Sequence, residues 1–328
     1  MGANFYRDGS DEVGSCGTPW CPGAAIQEWT TRMRQATSAA RSLLNSVAGS
    51  YGLHGVTRSY AAGVSNGGYQ VRRALETDTA PHRLYDGGVD WEGTLFTRAN
   101  NLFTYLPTSL AQWPGNVNGD PNAVAAMAAV GFNPQSQPLW NYHWTIYWGL
   151  TQKVYRLEMD PEYTGYGCAA PGVPCVSPAA ETVPPTDPDA LYNVSARMAV
   201  VGPRLDAVAN TGAIQHPLIT LHGDQDSLLP IKVDSDVYSQ MVAAAGRSGS
   251  FRYYTVAGGN HVDPQFDDHY GVDSYGNTVL RPILPCVRSA LDALSLWVER
   301  GTAPPASHVI ARPAGASASD LANLCSLS

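Results

Sequence analysis

Charge is scarce in this chain. Only 15% of its 328 residues are Asp, Glu, Lys or Arg, and the acidic residues outnumber the basic ones 28 to 20, for a formal charge of −8. There is no basic stripe and no run of like charge. That excludes a nucleic-acid surface built on phosphate neutralisation. No apolar run is long enough to span a bilayer. Met1-Gly2-Ala3-Asn4-Phe5-Tyr6 has no basic region followed by an apolar one, so it does not read as a secretory signal. Internal repeats are absent. What is present is 44% hydrophobic residues, enough at this length for a sizeable core in one domain with an insertion or in two domains. Low charge with abundant Gly, Pro, Ser and Thr suits an extracellular protein.

The six cysteines are even in number and suggestively spaced. Cys16–Cys21 and Cys168–Cys175 would staple local loops, and Cys286–Cys325 would tie down a Pro/Ala/Ser-rich tail. These are the favoured pairs among fifteen pairings. A zinc site is the rival, but Cys16 and Cys21 meet the ligand spacing only loosely and have no partner pair nearby. No metal is therefore expected. Disulfides imply an oxidising compartment and hence secretion.

Periodicity predicts a helix over about Ala25–Val47, with Trp29, Met33, Ala36, Ala40, Leu43 and Leu44 on one face. A strand at Thr57–Ala62 and a helix from Tyr69 follow. Residues 82–92 read as loop into strand. Pro217–His222 is a continuous apolar run, as a buried parallel strand should be. A helix at Lys232–Ala245, a strand at Phe251–Val256 and a helix at Leu284–Glu299 complete the pattern. Strands alternating with helices predict a mostly parallel sheet. Between them, residues 93–212 carry helical pieces at Asn122–Val130, Leu139–Glu158 and Ala190–Ala209, with Pro/Gly-rich connectors such as Gly165–Asp189. So long an insertion reads as a lid rather than a loop. The expected division is a core part at 1–92, a helical lid at 93–212 and a second core part at 213–328.

Gly63-Val64-Ser65-Asn66-Gly67 is a G-x-S-x-G pentapeptide between strand and helix. A nucleophile elbow needs that context: the serine takes a strained backbone, and small residues at Gly63 and Gly67 avoid collision. The hydroxyl is then presented at a helix N-terminus, where Asn66 donates one oxyanion-hole N–H. The bland reading is a Gly/Ser surface turn.

A serine nucleophile needs a base, and the base needs an orienting acid, in the chain order Ser, acid, His. Asp226, after one strand, is the preferred acid, with Asp224 and Asp90 as rivals. His261, in Gly258-Gly259-Asn260-His261 after the next strand, is the base, while His222 reads as a packed strand-end residue. Both candidates fall at C-terminal strand ends, where open α/β sheets hold their sites. Trp140, Trp144 and Trp148 lie four apart on one helix face. Lid core is the bland reading for them. The functional reading makes Trp140 and Trp144 an aromatic wall, with Trp91 and Glu92 lining the pocket. Asn193-Val194-Ser195 fits a glycosylation sequon, a pattern common by chance.

Together these residues resemble the α/β-hydrolase superfamily. Leu221–Pro230 and Tyr254–Asp263 are similar to segments of bacterial secreted esterases, the 3-hydroxybutyrate-oligomer hydrolases and the tannase/feruloyl-esterase-like proteins. The resemblance implies Ser65 as nucleophile, Asp226 as acid, His261 as base and no cofactor. It implies esters of 3-hydroxybutyrate, hydroxycinnamates or gallate as substrates, or polyester fragments. Tannase-type relatives carry cysteines where this chain has Val64 and Val262, which favours the oligomer-hydrolase side. The fold normally places four strands before the elbow strand. Here Ala3–Asp8 could be the last of them, and the first three are expected to be missing. An exposed elbow strand predicts a homo-oligomer covering the gap. The alternative to an ester hydrolase is a weak pseudo-hydrolase or binding protein with an incomplete oxyanion hole.

Overall fold

The computed structural model describes residues 24–160, 163, 189–261, 263, 266 and 280–328. The expected strand at Ala3–Asp8, the pairs Cys16–Cys21 and Cys168–Cys175, most of the Gly165–Asp189 connector and Val262 lie outside them.

Among the described residues five parallel strands form the sheet: β1 (Tyr60–Val64), β2 (Gly87–Trp91), β3 (Leu218–Gly223), β4 (Phe251–Val256) and β5 (His308–Ile310), in that spatial order. Each strand pairs with the next, with Gly63 opposite Asp90, Asp90 opposite Thr220, and Gly223 opposite Val256. β3 is central and buried along its whole length, as its unbroken apolar run predicts. Among the described residues β1 pairs on one side only. β5 was not expected, because three residues in a Pro/Ala/Ser-rich tail carry no strand pattern of their own. β4 supplies the template.

The strands are joined by α2 (Asn66–Thr77), α8 (Ser235–Ala244) and α9 (Leu284–Arg300). Val71, Ala74 and Leu75 of α2 and Tyr238 and Val242 of α8 form one core with Ala61 and Leu218. Val287, Ala290 and Leu294 of α9 form another with Val89, Ile219, Leu221 and Val256. Helices on both faces explain why the inner strands are apolar on both sides. The Cys286–Cys325 disulfide is present and joins α9 to the chain just after α10 (Ala318–Asn323), as the spacing predicts. The leading helix, α1 (Ala24–Ala48), departs from expectation. Ile26 and Trp29 are buried, but Ala40, Leu43 and Leu44 stand exposed, so only its first half packs against the core.

The insertion between β2 and β3 is helical: α3 (Leu106–Val117), α4 (Pro121–Ala129), α5 (Trp140–His143), a π-helical turn (Trp144–Trp148), α6 (Gly149–Met159) and α7 (Val194–Val208). α3 escaped the sequence reading because Pro107 and Pro114 resemble breakers. Pro107 sits in the first turn, where no intrahelical N–H is lost. Trp113, Phe132, Trp140 and Trp148 pack edge-on within this block, in an aromatic core that also takes in Trp29 of α1 and Tyr69 of α2.

Candidate active site

Ser65 sits between β1 and α2 with φ 56° and ψ −120°. Among the described residues only Ser65 and Glu92 are non-glycine residues with positive φ, and both follow strands at the same sheet edge. Such strain persists only where the surroundings enforce it. At Ser65 the backbone N–H donates to Trp91 O at 2.9 Å, and Ser65 O accepts from Tyr69 N at 3.0 Å. A Cβ on Gly63 would lie 2.4 Å from the carbonyl carbon of Gly67, so glycine is required there. Gly67 itself corrects the pentapeptide argument, since a Cβ on it would meet nothing within 4 Å. The second constrained position is Gly68, whose Cβ would lie 2.4 Å from Asp90 Oδ1 and 2.5 Å from Gly93 Cα. The first turn of α2 presses on the end of β2, and Gly68 makes room for it.

Asp226 and His261 come together through the loops after β3 and β4. These loops touch backbone to backbone: a Cβ on Gly223 would be 2.3 Å from Gly259 C, and Gln225 N donates to Gly259 O at 2.8 Å. His261 Nδ1 is 2.9 Å from Asp226 Oδ2. Asp226 Oδ1 accepts from the backbone N–H groups of Leu228 and Leu229 at 2.7 and 2.9 Å. Burial works against its charge, but the charges and hydrogen bonds of His261 and His222 outweigh burial and hold the carboxyl well below the usual range.

The rival acids have other partners. Asp90 is locked to Arg72 Nε at 2.6 Å and to Thr220 Oγ1 at 2.9 Å, facing away from the histidine into the α2/α8 layer. Asp224 accepts from Gly258 N at 2.8 Å and braces the next loop. His222 is fully buried, with Nδ1 2.7 Å from Ser235 Oγ and Nε2 2.9 Å from Leu229 O and 3.2 Å from Asp226 Oδ2. Burial pulls its pKa down, yet Asp226 leaves it raised overall.

Sequence reasoning missed a buried chain behind this site. Arg72 reaches Asp90, Asp234 and Ser235, and lies over the Tyr238 ring at 4.4 Å. Ser235 holds His222, and His222 holds Asp226. The elbow helix and the acid are thus linked through side chains from α2, α8 and β3. Nothing in the local sequence marks this link, because Arg72 and Asp234 lie 162 residues apart in the chain.

The helical insertion meets the site along one face. His143 Nε2 is 3.3 Å from Asn260 Nδ2, Trp148 Nε1 donates to Ser227 O at 2.7 Å, and the Tyr155 hydroxyl bonds Asn66 Oδ1. The spacing of five residues from His143 to Trp148 fits the wider π turn, which brings both to one side. Read as a regular helix, the sequence pointed to the tryptophans at intervals of four. Trp140 and Trp148 are fully buried, with Trp140 Nε1 bonded to Ser136 Oγ, and only Trp144 is half-buried. Trp140 is thus core of the insertion rather than an open wall.

Trp91 is half-buried at the end of β2. Glu92 lines no open surface: its side chain is fully buried, with Oε1 accepting from Gly223 N at 2.8 Å and Oε2 3.6 Å from His261 Nδ1. Glu92, Asp226 and His261 each bring one donor atom within 4.8 Å of the others. They read as an acid–base cluster rather than a ligand set, because the His261 nitrogen in question is already engaged by Asp226.

This arrangement, a strained serine at a helix N-terminus with an Asp–His pair from the loops after β3 and β4 at the same edge, resembles the α/β-hydrolase architecture. Residues 188–326, which include Asp226 and His261, match the family model of the 3HB-oligomer hydrolases (3HBOH). The chain resembles these esterases. No curated protein matches it. Among solved structures, feruloyl esterase B from Aspergillus oryzae is similar at 14% identity and a TM-score of 0.48, over 86% of this chain and 66% of that one. An acylaminoacyl peptidase from Pyrococcus horikoshii is similar at 13% identity and a TM-score of 0.31, over 76% of this chain and 24% of that one. The chain thus spans just under two thirds of the esterase's length and about a quarter of the peptidase's.

Proposed function

We propose that this chain is a serine carboxylic-ester hydrolase working through an acyl-enzyme. The observation that carries the proposal is the 2.9 Å contact of His261 Nδ1 with Asp226, on the sheet edge where Ser65 holds its strained turn. In this reading Ser65 Oγ attacks the ester carbonyl, and His261 Nε2 takes its proton. Asp226 fixes the imidazole tautomer and stabilises the cation that forms. The oxyanion sits at the N-terminus of α2, where Asn66 N–H and the helix dipole favour negative charge. His261 then returns the proton to the leaving alcohol, and water releases the acid. Acyl transfer of this kind needs no cofactor.

The 3HB-oligomer hydrolase match over the acid and histidine segments supports 3-hydroxybutyrate oligomers as the first substrates to test, with aryl esters and polyester fragments next. The helical insertion would act as the lid that selects among them, with the half-buried Trp144 on the insertion and the half-buried Trp91 at the end of β2. The Cys286–Cys325 disulfide supports secretion. A second copy of this chain is the proposed partner. Among the described residues β1 pairs on one side only, and two such edges would satisfy each other across a twofold axis. Light scattering that returns a monomer at working concentration overturns the dimer.

The test of activity is hydrolysis of p-nitrophenyl butyrate by the native chain and by Ser65→Ala, followed by the oligomer panel. Equal rates from the two proteins end the hydrolase proposal. Saturable oligomer binding without turnover would point to a binding protein instead.

A further inference from the structure

We propose that Glu92 is a second acid of the triad, a positioning residue that stands behind His261 and takes over the imidazole when Asp226 is lost. The inference rests on the ester-hydrolase reading above.

Geometry carries it. Glu92 follows β2 with φ 51°, a conformation that a glutamate adopts only where the surroundings impose it. The turn aims a fully buried carboxyl at the junction of the loops that bear Asp226 and His261. Oε1 is fixed by Gly223 N at 2.8 Å. Oε2 makes no hydrogen bond among the described residues and lies 3.6 Å from the same Nδ1 that Asp226 holds at 2.9 Å. The Trp91 indole faces the carboxyl without a regular hydrogen bond to it. A buried carboxyl with one oxygen unpartnered is costly unless that oxygen has work to do.

Two carboxylates around one buried imidazole do not both ionise readily. Asp226 takes the charge, because two backbone N–H groups and two imidazoles converge on it. Glu92 keeps its proton: burial, then Asp226 and Asp263, push its carboxyl well above the ordinary range, and only the Gly223 N–H and the Trp91 indole pull the other way. The other titratable groups at this junction are His261 and His222 on the core side and His143 from the insertion. If Asp226 becomes neutral, the main opposing charge on Glu92 disappears. Its ionised Oε2 then needs a movement of less than about 1 Å to reach hydrogen-bond distance from Nδ1.

The test compares the native chain, Glu92→Gln, Asp226→Asn and the double variant, with kcat and KM for p-nitrophenyl butyrate measured against pH. With Asp226 present, Glu92→Gln should lower kcat by no more than roughly threefold. Replacing a triad aspartate by asparagine lowers kcat by roughly 10⁴ where no second acid is present. Asp226→Asn should therefore retain roughly ten- to a hundredfold more activity than that, on a limb that rises as Glu92 ionises. The double variant should lose that excess and the limb with it. Identical pH profiles for Asp226→Asn and the double variant overturn the proposal. So does a Glu92→Gln loss as large as that of Asp226→Asn. The downfield imidazole N–H resonance of His261 gives a readout independent of turnover: it should persist in Asp226→Asn and vanish in the double variant. Its absence from folded Asp226→Asn, checked by thermal unfolding, also overturns the proposal. An inactive native chain that keeps this resonance pattern would refute the hydrolase reading and leave the second acid standing.

Discussion

The hydroxyl of Tyr155, on α6 of the insertion, bonds the side-chain oxygen of Asn66, the residue that follows the candidate nucleophile. Thr94 Oγ1, in the loop after β2, bonds the same oxygen at 3.3 Å. Both α6 and the loop after β2 therefore grip the first residue of α2. Tyr155→Phe removes one grip while Thr94 keeps the oxygen partnered. We expect a stability loss of about 1 kcal/mol and a several-fold fall in kcat for a short ester, because the Asn66 N–H is less firmly aimed. Urea melts and steady-state kinetics check the two parts.

The elbow glycines make a three-way comparison. Gly63→Ala and Gly68→Ala each drive a Cβ to 2.4 Å from another heavy atom, at Gly67 and Asp90 respectively. Each should cost several kcal/mol or prevent soluble expression, as overpacking against backbone does. Gly67→Ala meets open space in a helix and should fold at least as stably as the native chain. Thermal melts of the three rank them. A Gly67→Ala protein as unstable as Gly63→Ala would contradict this account of the turn.

Arg72→Met leaves Asp90 and Asp234 buried beside an apolar side chain. Breaking a buried ion pair from one side typically costs about 3–5 kcal/mol, and here two carboxylates lose their partner. Chemical denaturation should show a loss of at least that size. A loss under about 1 kcal/mol would mean that water reaches the site.

His143 is fully buried, and burial pushes its pKa down to about 3. The unfolded chain takes up a proton at this residue below about pH 6.5, while the folded chain stays neutral until about pH 3. Stability therefore falls as pH drops through that window, by up to about 1.4 kcal/mol per pH unit from this residue. Between pH 7 and pH 5 the native chain should lose about 2 kcal/mol more than His143→Phe. Urea melts at the two pH values measure the difference.

Much of the site's layout was legible because chemistry and topology agree on order. Ser65, Asp226 and His261 follow β1, β3 and β4 in chain order, and a parallel sheet gathers the ends of its strands on one edge. The apolar run at Pro217–His222 announced the central strand for the same physical reason: both its faces are covered. Long-range pairing was not legible. Arg72 is separated from Asp234 by 162 residues, and neither has a periodic signal that names the other. The π turn at Trp144–Trp148 was hidden because side-chain pattern does not record a change in backbone pitch. As a result, His143, Trp148 and Tyr155 were passed over as the face of the insertion that touches the site. From its place after a strand, Glu92 reads as a pocket residue. Its positive φ, a backbone property, turns it inward.

The chain Arg72–Ser235–His222–Asp226 makes the histidine's aim a property of the scaffold. His261 rides on a glycine-containing loop, yet its orientation is referred back through Asp226 to α8 and the elbow helix. A fault far from the ester should therefore surface as slow chemistry with ordinary affinity. Ser235→Ala, which touches no substrate, should lower kcat several-fold and leave KM nearly unchanged. In such a molecule the elbow helix that follows Ser65 and the carboxyl of Asp226 share one alignment frame, and they drift together or not at all.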